Sequence, residues 1–210
     1  MSLDAVSGAG AGELLDPDSP VRRHYEDLAN NLLSLEGVGS VVVTSPEPGV
    51  GCTSVCLGLG AALAGMGRQS AVVDCNLDDP QLHRMLGESN FVGLTSGLDG
   101  GKGLEHYGYE AVPGLLIVPT GPVPPDPVSP LEKSGMVEAV RVLKESRDVV
   151  VLDAPAAGRV VRSPTFWGGF DGILLVVHAA RTPKSLARDT IDDLLDSRVN
   201  LLGVVLNGCS

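Results

Sequence analysis

Apolar residues recur along this chain in two rhythms. Short continuous runs, at residues 41–43, 71–73, 115–118, 149–152, 173–177 and 201–206, are rich in valine, leucine and isoleucine. Runs that do not alternate with polar residues are the pattern of strands buried on both faces. Between them the spacing becomes helical. Tyr25, Leu28, Leu32, Leu33 and Leu35 recur within 21–35, a second stretch covers 131–145, and Leu186, Ile191, Leu194 and Leu195 share one face of 184–196. The segment CTSVCLGLGAALAGMG, from Cys52, is apolar all round and reads as a buried helix. Strands that alternate with helices predict an α/β fold: a doubly wound, mostly parallel sheet with helices on both faces.

The first twenty residues are small, Gly-rich and aperiodic, and are expected to form a flexible leader ending at Pro20. Residues 21–210 then form a single domain. The proline-dense segment GPVPPDPVSP, 121–130, has periodic elements on both sides and is expected to be a surface loop, not a linker. Acidic residues outnumber basic ones by 26 to 15, for a net charge of -11, which repels nucleic acid and anionic lipid. No apolar stretch approaches the roughly 18 uncharged residues of a membrane span, so direct insertion is not expected. The four cysteines, Cys52, Cys56, Cys75 and Cys209, lack metal or disulfide-framework spacing and read as reduced thiols in a cytoplasmic protein.

Between the first strand and its helix lies Ser45-Pro46-Glu47-Pro48-Gly49-Val50-Gly51-Cys52-Thr53-Ser54. A Gly-rich turn in that place is where a P-loop cradles phosphate with consecutive backbone N–H groups and a helix N-terminus. The candidate nucleotide contacts are therefore Gly49, Val50, Gly51, Cys52, Thr53 and Ser54. The GxxxxGK[ST] pattern is broken, because Pro46 stands at the first glycine and Cys52 at the lysine. Two further strands end in aspartate, Val72-Val73-Asp74 and Val150-Val151-Leu152-Asp153. In open α/β sheets ligands bind beyond those ends, so Thr53, Asp74 and Asp153 are expected to converge on one Mg²⁺. The competing reading is that each aspartate merely caps a helix.

These segments together resemble the cytoplasmic tyrosine kinases of bacterial capsule and exopolysaccharide export, relatives of the MinD/ParA ATPases. The resemblance rests on VVVTSPEPGVGCTS, VVDCNLDDPQLHRMLG, VPGLLIVPTGPVPPDP, DVVVLDAPAAG and FDGILLVVHAARTPKSL, and runs from about Val21 to Gly208. It implies that Asp74 activates the attacking hydroxyl or water, that Asp153 and Thr53 hold magnesium, and that Asn207 contacts the base. It also implies Mg-ATP or Mg-ADP as ligand and, as partner, the cytoplasmic segment of a membrane polysaccharide co-polymerase or export protein. That partner would hold the chain at the inner face of the membrane.

Several positions depart from the family. Cys52 replaces the lysine whose charge steadies the β- and γ-phosphates, Asn76 replaces an aspartate, and Asp78-Asp79 replace two arginines. Tyr25, Tyr107 and Tyr109 are the only tyrosines, and the chain stops at Cys209-Ser210 without the C-terminal phosphoacceptor cluster. The ring-forming Glu-x-x-Arg-x-x-Arg pattern reads Arg23, Glu26 and Ala29 here, which degrades that route to self-association. The expectation is a pseudokinase of polysaccharide chain-length control whose nucleotide binding is weakened or lost. One alternative is an active tyrosine autokinase or ATPase using Arg159, Arg162 or Arg181 in place of the lysine. The other is a MinD/ParA-like positioning ATPase, disfavoured because Glu47 stands at the extra signature lysine. Gly100-Gly101-Lys102-Gly103 follows no strand and reads as a surface turn, Cys52 reads as a neutral replacement rather than a redox switch, and the four histidines lack ligand spacing.

Overall fold

The computed structural model describes residues 10–127, 131, 134–160 and 168–208. Its strands are β1 (Ser40–Thr44), β2 (Ser70–Asp74), β3 (Tyr109–Val112), β4 (Leu115–Val118), β5 (Val149–Asp153), β6 (Gly172–His178) and β7 (Leu201–Asn207). They form one sheet in the order β3-β4-β2-β5-β1-β6-β7. Every pairing is parallel except β3 with β4. The helices are α1 (Ala11–Leu15), α2 (Arg22–Leu33), α3 (Cys52–Gly65), α4 (Leu82–Leu86), α5 (Leu94–Gly100), α6 (Ser134–Leu143), α7 (Ala157–Val160) and α8 (Lys184–Asp196). The doubly wound α/β architecture expected from the sequence is the one found.

Side chains alternate between two cores. Val41, Val43, Val72, Val149 and Val151 face α2 and α3, whereas Val42, Ala71, Val73, Val150 and Leu152 face α6 and α8. The central strands are buried at every position, which explains their uninterrupted apolar sequence. Helix α3 is apolar on all sides because it is enclosed between the sheet and α1 and α2. Its glycines permit close packing: a Cβ on Gly58 would lie 2.5 Å from the Tyr25 ring, and one on Gly60 2.6 Å from Val72.

The expected leader needs correction over residues 10–20. Ala11–Leu15 is helical, and Leu14, only 1% exposed, packs into the α3 core. A five-residue amphipathic turn is too short to give a periodic signal, and its glycines masked the one buried anchor. Residues 1–9, residues 128–130 of the proline-dense segment, Arg162, Trp167 and Cys209 lie outside the described residues. Strand β3 also escaped the apolar pattern: it is a half-exposed antiparallel edge carrying Glu110.

Candidate functional site

The order of strands sets the site. The chain leaves β1 for β2, beyond β5, and later crosses back from β5 over β1 to β6 on the other flank, so the loops after β1, β2 and β5 enclose a crevice. A cavity of about 730 Å³ lies there. It is lined by the loop residues 45, 46, 48, 49 and 51–54, by Asn76, Asp78, Asp79, Gln81 and Met85 after β2, and by Ala154, Pro155, Ala156 and Gly158 after β5.

Its rim is a Gly-rich turn with two left-handed residues, Gly49 at φ 76° and Gly51 at φ 97°, the latter capping α3. Side chains at these φ values are strained, so glycine is what lets the chain turn from β1 into the helix. The turn is stitched to its neighbours. Thr44 Oγ1 donates to the Pro155 carbonyl at 2.7 Å, and the Ala157 N–H donates to the Ser45 carbonyl at 2.8 Å. Ser45 Oγ donates to the Glu47 carbonyl at 2.8 Å.

Asp74 and Asp153 are opposed residues across the β2–β5 ladder, and strand alternation turns both toward α3. Neither is exposed to solvent. Asp74 accepts the N–H groups of Asn76 at 3.1 Å and Leu82 at 3.2 Å, so it also caps the start of α4. Asp153 differs: neither carboxylate oxygen finds a partner at hydrogen-bond geometry, although the Thr53 hydroxyl and the Cys56 thiol lie close enough to offset part of the upward push that burial gives its pKa. Burial pushes the Asp153 carboxyl up to about 6. Burial, and then the charge of Asp153, hold Asp74 well above the usual carboxylate range. Two acids in one dry place share protons, since both cannot ionise cheaply.

Cys52 opens α3 on the cavity wall. Burial first and Asp153 second push its thiol up to about 12, outweighing the hydrogen bond with Ser45. Burial thus favours the neutral thiol at this position. The charged side chains that line the cavity among the described residues are Asp78 and Asp79, and Asp79 pairs with exposed Arg84 at 3.1 Å. Glu47 Oε1 is buried without a hydrogen-bond partner.

Asn207 is brought to the loop but not to the cavity wall. Its Nδ2 donates to the Val50 carbonyl at 2.7 Å, bracing the turn from behind. Arg181, named above as a substitute cation, donates to the Gly49 carbonyl at 2.7 Å and does not line the cavity. Only tertiary structure exposes these contacts, because 132 and 157 residues separate the partners. No group of three His, Cys, Asp or Glu is placed to hold a metal among the described residues. Of the three expected magnesium ligands, Thr53 lines the cavity and lies beside Asp153, while Asp153 and its strand partner Asp74 are buried and do not line it.

Comparison with known proteins gives this geometry a lineage. EpsB of Ralstonia solanacearum, assigned as a tyrosine-protein kinase, is 31% identical over 183 residues, covering 87% of this chain. The Bacillus subtilis tyrosine-protein kinase YwqD is 29% identical over 174 residues, covering 80% of this chain and 72% of its own length. The homologues are bacterial tyrosine-protein kinases. This chain spans 23% of the length of that EpsB protein. The solved kinase domain of VpsO superposes with a TM-score of 0.81 at 26% identity, covering 90% of this chain and 96% of that one. The MinD protein of Pyrococcus horikoshii, solved with Mg-ADP, superposes with a TM-score of 0.67 at 25% identity, covering 81% of this chain and 70% of MinD. No family model matches the chain. The P-loop NTPase fold of these kinases is thus shared, and no helix among the described residues is long and apolar enough to cross a membrane.

Proposed function

We propose that this chain is a degenerate P-loop domain of capsule and exopolysaccharide biosynthesis that keeps a nucleotide cradle and has lost phosphoryl transfer. The carrying observation is Cys52, a neutral thiol, in the place of a phosphate-binding lysine, beside a cavity whose described charged lining is Asp78 and Asp79. Its role is then that of a docking partner for the cytoplasmic segment of a membrane polysaccharide co-polymerase or export protein, through which it controls chain length at the inner membrane face.

The residues present fit a hydrated magnesium ion. Asp153 offers two buried oxygens without partners, Asp74 stands opposite, and Thr53 adds a hydroxyl, all hard oxygen donors. Magnesium bound there would neutralise phosphate charge. Thr53 and Asp153 would hold it, while the amides of the Gly49–Ser54 turn would bind the phosphates. What is lacking is the lysine's charge. Removing one such charge-assisted contact, worth roughly 1.5–3 kcal/mol, weakens nucleotide binding by about ten- to a hundredfold. Transfer suffers more, because cationic stabilisation of its transition state is worth about 10³-fold or greater.

Calorimetric titration with Mg-ADP and Mg-ATP tests this reading. Cys52→Lys is expected to bind at least tenfold more tightly than the natural chain. Phosphotyrosine formation or sustained ATP hydrolysis by the natural chain would overturn it, in favour of an active kinase that draws its cation from elsewhere.

A further inference from the structure

Arg181 and Asn207 form a clamp on the phosphate turn, and we propose that this clamp, rather than bound phosphate, holds the cradle in its binding shape. The inference rests on the cradle described above and names the residues that position it. Successive carbonyls, those of Gly49 and Val50, each accept a hydrogen bond of 2.7 Å from a side chain on the far side of the turn. A peptide plane whose carbonyl is held outward points its N–H the other way. Pinning two carbonyls therefore orients the intervening amides toward the cavity, where an anion would meet them.

Both donors are themselves fixed. Asn207 ends β7 directly opposite His178 of β6, and its own carbonyl accepts the Ala179 N–H at 2.8 Å. Its side chain is buried, and its Oδ1 accepts the N–H of Gly208 at 3.0 Å. Gly51 leaves the space its amide fills, since a Cβ there would collide with Nδ2. Arg181 stands on a turn locked around His178. The His178 N–H donates to Thr182 Oγ1 at 2.9 Å, His178 Nδ1 accepts the Ala180 N–H at 3.2 Å, and the His178 carbonyl accepts the Thr182 N–H at 3.0 Å. The guanidinium is thus delivered to Gly49 by a rigid bracket. A cation committed to a carbonyl behind the turn does not stand in for the lysine in front of it, so Arg181 is a positioning residue and not a catalytic one.

Amide hydrogen exchange of the nucleotide-free protein tests the clamp without requiring any nucleotide to bind. Arg181→Gln is expected to speed exchange of the first hydrogen-bonded amide beyond the turn, that of Val55 on the Gly51 carbonyl, by about fivefold, the factor for an opening made roughly 1 kcal/mol easier. Exchange in β2 and β4 and the melting temperature are expected to stay as they were, and Arg181→Lys is expected to restore most of the protection. Unchanged exchange of the Val55 amide in Arg181→Gln would overturn the proposal. So would acceleration spread evenly over the sheet, which would mean a general loss of stability. As a second arm, Arg181→Gln added to Cys52→Lys is expected to weaken Mg-ADP binding by about fivefold. If Cys52→Lys itself gains no affinity, the cradle reading fails on its own, and the exchange result still decides the clamp.

Discussion

At the scale of single residues, the acid pair is a source of instability. Asp153 is buried with no hydrogen-bond partner for either oxygen, and its carboxyl is pushed up to about 6 from an ordinary 3.8. The folded state therefore holds a proton that the unfolded chain releases between those two values. Stability falls as pH rises through that window and stays reduced above it. Asp153→Asn removes the burden and is expected to stabilise the chain at pH 7.5 by about 2–3 kcal/mol, with little gain at pH 4. Urea unfolding of both proteins at the two pH values measures this. Equal stability of variant and parent at pH 7.5 would show that the carboxylate is compensated after all. Much of this site was legible beforehand: Thr53, Asp74 and Asp153 follow from a turn, a helix start and two strand ends. The bracing roles of Arg181 and Asn207 were not, because a long-range side-chain contact leaves no local periodicity.

At the scale of elements, the helix that opens the site is fixed by glycines as much as by its apolar surface. Gly58 lets the Tyr25 ring of α2 lie directly on α3, and Tyr25 is 3% exposed. Gly58→Ala gains up to about 1 kcal/mol of helix propensity, but forces an overlap costing about 1–3 kcal/mol. A net loss of roughly 1 kcal/mol is expected in urea unfolding. Gly12→Ala in α1, where an added Cβ meets nothing within 4 Å, serves as the contrasting case and is expected to cost nothing. The core strands and α2, α3, α6 and α8 were readable because each carries several apolar residues at one period. Helix α1 and strand β3 were not, since five residues around Leu14 and four half-exposed ones carry too little pattern to stand out.

For the molecule as a whole, a net charge of -11 on 210 residues means diffuse self-repulsion in the folded state. Salt shortens the range of that repulsion to about 8 Å at physiological ionic strength. The thermal midpoint is expected to rise by roughly 2–4 °C between low salt and about 0.2 M sodium chloride, corresponding to about 1 kcal/mol. A flat or falling midpoint in calorimetry would show that local ion pairs such as Lys144–Asp171 outweigh the overall field.

The in-register pairing of Asp74 with Asp153 has a wider implication. Their spacing is dictated by rungs of main-chain hydrogen bonds in a sheet whose core is indifferent to what the pocket contains. What lines the rim is therefore separable from what carries it, and side chains facing the pocket can be exchanged while the scaffold stays as it is.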